Sequence, residues 1–268
     1  MSEQQTSALR AVVGAVETEF ARQPPSICVI GLSGVGKSST INSMFGTNRH
    51  VSATVRGTSR FSSSTFEIIS HRMEGATLKC ALKVYDAPGL GEDAALDDNY
   101  LKRYREHLPK CDIALWIVAA RNRALALDQQ YLVKLAPALP NLVIGINQID
   151  LVDPLDWNEH INMPSPDQGE AIEAISRDRH AKLSAHATGE CQVVAYSAKK
   201  YYNLQTLFAA SIKSAPAKRR WMFELIKSFS TYDWLNRAKG LSEEHKQRLA
   251  QSHIKSDAKI KLGGPPPV

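Results

Sequence analysis

The sequence predicts an α/β fold with a doubly wound, mostly parallel sheet that is covered by helices on both faces. Two observations predict it. Apolar runs typical of buried strands alternate with helical patterns between residues 26 and 214, and a glycine-rich loop joins the first run to a helix. One antiparallel edge hairpin is expected, because the runs Arg60–Ile69 and Leu78–Tyr85 are joined by a short turn around Glu74 and Gly75.

The first element is a helix that precedes the sheet. Residues Thr6–Arg22 carry an apolar stripe with helical spacing, and Pro24 and Pro25 end it. We expect residues 1–24 to form an amphipathic helix that packs against the main domain, with binding to a partner as the alternative. Residues 25–214 form the main domain, residues 215–262 a basic helical extension and residues 263–268 a disordered tail.

The first strand leads into a phosphate-binding loop. The apolar run Ile27–Ile30 is followed by Gly31–Ser38, a complete G-x-x-x-x-G-K-S sequence, and then by a helical pattern over Ser39–Phe45. Glycines allow successive backbone N–H groups to point at phosphate oxygens, and a helix N-terminus adds a favourable dipole. The motif predicts the P-loop NTPase fold, with nucleotide contacts from Gly31, Ser33, Gly34, Val35, Gly36, Lys37, Ser38 and Ser39.

The expected strand Leu78–Tyr85 is followed by residues suited to a metal and to the γ-phosphate. Asp86 and Gly89 belong to an Asp-Ala-Pro-Gly sequence that follows Leu78–Tyr85. A carboxylate at this edge suits Mg²⁺ together with the hydroxyl of Ser38, and the Gly89 N–H can register loss of the γ-phosphate. Lys37 can neutralise the β- and γ-phosphates.

Two later strands end in residues that can select the base. The run Leu142–Ile146 leads into Asn147, Gln148 and Asp150, and a run ending at Tyr196 leads into Ser197, Ala198 and Lys199. An aspartate accepts both N–H groups of the Watson–Crick edge of guanine, which adenine cannot satisfy, and a backbone N–H near Ala198 can meet the guanine O6. The sequence therefore predicts GTP or GDP as ligand and disfavours ATP.

Together these motifs resemble the Era-like bacterial P-loop GTPases, in particular the YfjP-like branch of the translation-factor-related GTPases, over roughly residues 25–214. The resemblance implies a Mg²⁺-dependent switch that hydrolyses GTP, with Lys37 and Gly89 acting in catalysis. It also implies a hydroxyl ligand to Mg²⁺ from the first switch. Register favours Ser59 and residue type favours Thr58, with Thr54 a third alternative.

Two positions depart from the family pattern. Gln148 stands where lysine is usual, which we expect to weaken affinity without removing guanine specificity. Leu90 stands where Ras-like members carry a water-orienting glutamine, so hydrolysis should be slow unless a partner or GTP-dependent homodimerisation supplies the missing group. The alternative is a guanine-nucleotide-binding scaffold with negligible turnover.

Composition supports a soluble, cytoplasmic protein. Apolar residues make up 43% of the chain and charged residues 22%, and no run is apolar enough to span a membrane. The start of the chain lacks a signal-peptide pattern. The four cysteines lie in or beside expected strands, where buried thiols are the simplest interpretation: Cys28, Cys80, Cys111 and Cys191.

Basic charge is concentrated at the C-terminal end. Residues 213–261 hold 12 Lys or Arg against 5 Asp or Glu, a net charge of +7, while the whole chain carries +6. An apolar stripe from Trp221 to Phe229 follows Lys218–Arg220. It predicts contact with RNA, the ribosome or an anionic membrane, or docking onto the chain's own domain. Nothing indicates DNA binding.

Two further groups of arginines have alternative roles. Arg121 and Arg123 follow the strand Cys111–Val118, and Arg49, Arg56 and Arg60 flank the first switch. Each group is either solvated surface or a source of phosphate contacts. For Arg121 and Arg123, the phosphate contact is made within the same subunit or, as an arginine finger, toward a neighbouring subunit.

Overall fold

The structure is a computed structural model that describes residues 3–45, 62–73, 76–91, 94–187 and 190–227. Within this part of the chain, the strands form one six-stranded sheet. They are β1 (Ser26–Gly31), β2 (Ser62–Met73), β3 (Ala76–Asp86), β4 (Ile113–Ala119), β5 (Asn141–Asn147) and β6 (Gln192–Ala195). Their order across the sheet is β2-β3-β1-β4-β5-β6, with β2 and β6 at the edges.

Helices flank this sheet and connect its strands. They are α1 (Glu3–Arg22), α2 (Lys37–Phe45), α3 (Ala94–His107), α4 (Ala126–Leu135), α5 (Pro166–Leu183), α6 (Leu204–Ser214) and α7 (residues 220–227). α3 contacts α4 and α4 contacts α5, while α1, α2, α5 and α6 lie directly against strands.

The strand directions confirm the predicted mixed sheet. β3, β1, β4, β5 and β6 pair in parallel, and β2 pairs antiparallel with β3 from Ser62 opposite Asp86 to Met73 opposite Ala76. The predicted edge hairpin is therefore present. The arginines and hydroxyl residues predicted for the first switch, at positions 49–60, lie outside the described residues.

The core is deepest at β4, where both faces of the strand are covered. Residues 113–118 are inaccessible to solvent, and Trp116 lies opposite Ile30 of β1. Continuous apolar strands are typical of parallel sheets buried on both sides. Because β1, β3, β4, β5 and β6 run in parallel, their carboxyl ends meet at one edge of the sheet, as expected for a ligand site in a doubly wound fold.

α1 packs along the outer part of the sheet. Val13 and Phe20 are buried, and the Glu17 carboxylate accepts a hydrogen bond from the backbone N–H of Lys79 on β3 at 2.8 Å. Trp221 of α7 contacts Phe20 edge to face, with ring centroids 5.8 Å apart. The first helix thus lies between the sheet and the start of the C-terminal extension.

The described part of the C-terminal extension docks onto the chain's own domain. Met222, Phe223 and Ile226 are buried, so the expectation that their stripe faces a membrane is wrong for these residues. Arg219 pairs with Asp112 at 2.6 Å and donates to two carbonyls at the end of α1, while Arg220 donates to the carbonyls of Lys213 and Ala215. The chain beyond residue 227, including Phe229, lies outside the described residues.

The four cysteines are buried and form no disulfide with one another, as their positions in or beside expected strands predict. Burial raises the pKa of the Cys80 thiol to about 12 and that of Cys191 to about 11, so both stay protonated and unreactive near neutral pH. Among the described helices, none is long and apolar enough to cross a membrane.

Candidate nucleotide-binding site

The loop between β1 and α2 has a backbone that only glycine adopts easily. Gly31, Gly34 and Gly36 have φ angles of 142°, 79° and 93°. A side chain at Gly31 would place its Cβ 2.3 Å from the carbonyl oxygen of Ile117, and one at Gly36 would place it 2.4 Å from the side-chain nitrogen of Asn147. The glycines therefore serve both the turn and the close approach of neighbouring elements.

Lys37 lies inside this loop, at the first residue of α2. Its ammonium group donates to the carbonyls of Gly31 at 3.1 Å and Leu32 at 2.8 Å, and only 8% of the residue is exposed. α2 begins two residues earlier than the predicted Ser39, so Lys37 and Ser38 lie in its first turn. The unpaired N–H groups and positive dipole end of a helix attract phosphate at this position.

Ser38 and Asp86 bring two oxygen ligands together. The Ser38 hydroxyl donates to the Asp86 carboxylate at 3.3 Å, and Asp86 is 2% exposed at the end of β3. This donor set fits Mg²⁺, which prefers oxygen and is usually held by one or two protein groups together with phosphates and water. Among the described residues there is no cluster of three or more His, Cys, Asp or Glu able to hold a metal by itself. The predicted ligands Thr58 and Ser59 lie outside them.

Leu90 ties the segment after Asp86 to the phosphate loop through its backbone. Its N–H donates to the Gly31 carbonyl at 3.3 Å, and its carbonyl accepts from the Ser33 N–H at 3.0 Å. The side chain is 1% exposed. Gly89 lies so close that a Cβ there would be 2.9 Å from the Ser33 Cα. A leucine buried in this way cannot orient a water molecule.

A buried tyrosine on α3 also supports the segment after Asp86. Its role was not predicted from the sequence. Tyr104 on α3 donates to the carbonyl of Pro88 at 2.6 Å, and burial raises the pKa of its phenol well above the usual range, so it remains a donor. Its helical position carries no signal that distinguishes it from an ordinary core tyrosine.

Asn147 connects the phosphate loop to the predicted base-binding segment. Its side-chain N–H donates to the Val35 carbonyl at 3.0 Å, while its oxygen accepts from the backbone N–H of Ala198, also at 3.0 Å. An amide is the side chain that offers a donor and an acceptor in one rigid group. One buried residue therefore positions two loops that lie far apart in the sequence.

Asp150 is held by Ser197. The Ser197 hydroxyl donates to one carboxylate oxygen of Asp150 at 2.7 Å and accepts from the backbone N–H of Lys200 at 3.0 Å. Asp150 is 8% exposed and Ser197 is fully buried, while the neighbouring Lys199 is exposed. The predicted base-reading residues of β5 and β6 thus lie together.

Gln148 has a left-handed backbone, with φ at 65°, and a side chain that reaches the phosphate loop. Its amide nitrogen donates to the Gly34 carbonyl at 3.3 Å. Glutamine therefore retains a contact with the loop, although its stem is shorter than that of the lysine usual in the resembling family.

Two hydroxyl contacts between α2 and the end of β6 were not predicted. Thr40 and Tyr196 are 2.7 Å apart through their hydroxyl oxygens, and Ser43 donates to the Ala198 carbonyl at 2.8 Å. Burial raises the pKa of the Tyr196 phenol above its usual range, although the Thr40 contact opposes this. No sequence signal pairs residues that are separated by more than 150 positions.

A family profile matches residues 26–148 of the chain, and the family is described as 50S ribosome-binding GTPase. The matched segment runs from the start of β1 to Gln148 and so contains the phosphate loop, Asp86, Gly89 and Asn147. The match shows that this segment, which includes the phosphate loop, is similar in sequence to that family.

Curated relatives are also similar to part of the chain. Two proteins of Escherichia coli (strain K12), YkfA and YfjP, are each 35% identical over 113 and 117 residues, which are 42% of this chain and 37% of each relative. The tRNA modification GTPase MnmE of Geotalea uraniireducens is 26% identical over 197 residues, 71% of this chain and 41% of MnmE. The matched region thus spans well under half of the length of these relatives.

Two solved structures are similar to the chain at low sequence identity. A probable GTP-binding protein engB is 18% identical and covers 76% of this chain and 99% of its own, with a TM-score of 0.43. Toc33 from Arabidopsis thaliana, solved with Mg²⁺ and GMPPNP, is also 18% identical, with coverage of 82% and 91% and a TM-score of 0.46.

Proposed function

We propose that this protein is a Mg²⁺-dependent guanine-nucleotide switch that hydrolyses GTP to GDP and phosphate, of the Era-like type and within its YfjP-like branch. The observation that carries the proposal is the position of Asn147, whose amide bonds the phosphate loop at Val35 and the base segment at Ala198. The 35% sequence identity with YfjP and with YkfA supports the placement in this branch. A phosphate site and a guanine site joined in this way suit a nucleoside triphosphate with guanine as its base.

The phosphate side would bind the triphosphate with backbone N–H groups of residues 33–39 and with the Lys37 ammonium. Lys37 neutralises charge on the β- and γ-phosphates, and the Gly89 N–H senses the γ-phosphate. Ser38 and Asp86, with Thr58 or Ser59, would hold Mg²⁺, which when bound neutralises the phosphate oxygens.

Hydrolysis would be slow in the isolated chain. Leu90 is buried, with both of its backbone hydrogen bonds directed at the phosphate loop. A water molecule beside the γ-phosphate would be oriented by loop amides without a side-chain base. A partner, a second copy of the chain or a conformational change would supply the missing polar group.

A second copy of the chain, in a GTP-dependent homodimer, is one source of that group. Arg121 and Arg123 follow β4 at the nucleotide edge of the sheet, and both are exposed. An arginine supplied in trans can stabilise the charge of the transition state. In this form of the proposal, the hydrolysis rate per molecule rises with protein concentration and falls when both arginines are replaced by alanine.

The central experiment is single-turnover hydrolysis of GTP, measured over a series of protein concentrations after competition binding with GDP and ADP. Wild type should bind GDP selectively and turn over GTP. Lys37→Ala should lose about 100-fold or more in rate, because an interaction that neutralises transition-state charge is removed. Lys102→Ala, on the exposed side of α3, is the matched control and should keep the wild-type rate. Equal binding of ADP would contradict the proposal.

The alternative is a guanine-nucleotide-binding scaffold with negligible turnover that recruits RNA, the ribosome or a membrane through residues 213–261. Burial of Leu90 favours it. Within residues 213–227, however, Arg219 and Arg220 contact the chain itself, so recruitment would depend on the residues that follow. Selective GDP binding without turnover at any concentration, together with co-sedimentation with 50S ribosomal subunits, would favour this alternative.

A further inference from the structure

The chain between the base-reading Asp150 and α5 forms a short folded insert, residues 153–165. Two backbone hydrogen bonds pair Asn158 with Met163, at 2.8 and 3.2 Å. At its end, Ser165 caps α5 by accepting from the Gln168 N–H and donates to Asp156 at 2.6 Å. The insert is therefore held by its own hydrogen bonds and by the helix that follows.

The insert contacts the base segment through three side chains that the nucleotide motifs do not include, those of Trp157, Glu159 and Asn162. The Trp157 indole N–H donates to the Asn162 side-chain oxygen at 3.1 Å, and the Asn162 side-chain N–H donates to the Lys200 carbonyl at 2.8 Å. Trp157 also packs edge to face against Tyr202, with ring centroids 5.2 Å apart. An ion pair between Glu159 and Lys200 joins the same two segments.

These contacts continue to the predicted guanine-reading carboxylate. Lys200, whose carbonyl is held by Asn162, donates its backbone N–H to Ser197, and the Ser197 hydroxyl donates to Asp150. Hydrogen bonds and the backbone of Lys200 thus connect Trp157 to Asp150. Ser197 and Tyr202 also exchange two backbone hydrogen bonds, at 3.0 and 3.1 Å, which close the intervening turn.

Asn162 is unusual in its burial and its backbone. It is 3% exposed, has a φ of 50°, and uses both ends of its amide between Trp157 and Lys200. Asparagine tolerates the left-handed region better than most residues. A buried amide with both ends bonded holds its neighbours to one geometry, because each lost bond leaves a polar group without a partner.

We propose that Trp157 and Asn162 are positioning residues that set the selectivity of the site for guanine. They hold the turn of residues 197–202, and through Ser197 they fix the Asp150 carboxylate so that it meets both the ring N–H and the 2-amino group. This inference rests on the proposed guanine-nucleotide function.

The test compares the affinities for GDP and IDP, which lacks the 2-amino group, by titration calorimetry. Wild type should prefer GDP by about 10-fold or more, the value of a hydrogen bond to a charged group. Asn162→Gly keeps the left-handed backbone but removes both amide bonds, and Trp157→Phe keeps the aromatic contact but removes the N–H. Each should reduce the GDP/IDP ratio by roughly 3- to 10-fold while IDP affinity changes less.

Asn158→Ala is the matched control, because its side-chain oxygen accepts only from His160 and Ile161 N–H groups among the described hydrogen bonds of the insert. It should keep the wild-type ratio. A wild-type ratio in both Asn162→Gly and Trp157→Phe, or an equal fall in Asn158→Ala, would overturn the inference while leaving guanine binding intact. Failure of wild type to prefer GDP over ADP would instead overturn the proposed function and this inference with it.

Discussion

The phosphate side and the base side of the site are built from different parts of the chain. The phosphate side is built mainly within one continuous segment, residues 31–38, which is bent at glycines and adds the Lys37 and Ser38 side chains to its backbone groups. The base side consists of side chains from β5, the insert and the turn after β6, joined by hydrogen bonds between positions such as 147 and 198. A contiguous loop motif can be recognised in a sequence. A network of side chains that are far apart in the sequence can be recognised only once the folded structure is known.

The two sides approach each other closely between Gly36 and Asn147. A Cβ at Gly36 would lie 2.4 Å from the Asn147 amide nitrogen, and this same amide holds Val35 and Ala198. Because the contact belongs to both sides, a change there should affect phosphate and base recognition together.

Gly36→Ala is therefore expected to have the largest effect. The added methyl group combines left-handed backbone strain of about 1–2 kcal/mol with displacement of Asn147 and loss of hydrogen bonds worth about 1–3 kcal/mol. We expect GDP affinity to fall by about 300-fold in calorimetry. Gly34→Ala is the matched control, since its φ is also positive but no atom lies within 4 Å of the added Cβ. Equal losses in the two variants would mean that strain alone matters and that the sides are independent.

Asp150→Asn should affect only the base side. Replacing the carboxylate removes one acceptor for the guanine N–H groups and offers a donor, which suits the second carbonyl of xanthine. We expect GDP affinity to fall by about 50-fold, with XDP bound more tightly than GDP. The pairing with Ser197 survives, because an amide oxygen can still accept from its hydroxyl. Unchanged relative affinities for GDP and XDP in competition binding would remove Asp150 from base recognition.

The same contrast explains how far the sequence alone can lead. The parallel sheet, the edge hairpin and the position of the phosphate loop follow from local patterns: apolar runs, a short turn and glycine spacing. The role of Asn162 does not, since an asparagine in a proline-rich loop is an ordinary loop residue until its amide is seen between Trp157 and Lys200. The sequence leaves several alternatives for α7, of which docking onto the chain's own domain is one, because an amphipathic stripe does not specify the surface that covers it.

Tyr196→Phe tests the smaller link between the two sides. Its hydroxyl meets that of Thr40, 2.7 Å away, and joins the end of β6 to the helix after the phosphate loop. We expect the free energy of unfolding to fall by about 1 kcal/mol, the usual value of a buried hydrogen bond, with less than about a threefold change in GDP affinity.

A double-mutant cycle with Thr40→Val would isolate this contact in denaturant unfolding, because Thr40 also donates to the Gly36 carbonyl. Additive effects of the two substitutions would show that the hydroxyl pair does not couple the sides. A coupling energy near 1 kcal/mol would support the link.

The smallest expected effect concerns a buried carboxylate that belongs to neither side of the site. Asp128 on α4 is inaccessible to solvent and accepts from the Trp116 indole at 2.9 Å. Burial raises its pKa from 3.8 to about 6, although the Trp116 hydrogen bond and the charge of Arg179 oppose the shift. The folded protein thus binds this proton more tightly than the unfolded chain. The resulting stabilisation is complete below about pH 4 and is lost as the pH rises through 6.

Asp128→Asn keeps an acceptor for Trp116 but removes the titration. Relative to wild type, its free energy of unfolding should therefore increase by about 1 kcal/mol between pH 5 and pH 7.5, since one pKa unit corresponds to about 1.4 kcal/mol. Asp98→Asn, on the exposed side of α3, is the control for a general change of charge. GDP affinity should stay at the wild-type value, in contrast to Asp150→Asn. A pH-independent difference in denaturant unfolding would show that Asp128 is not held with a raised pKa, and a loss of GDP affinity would place it in the nucleotide site after all.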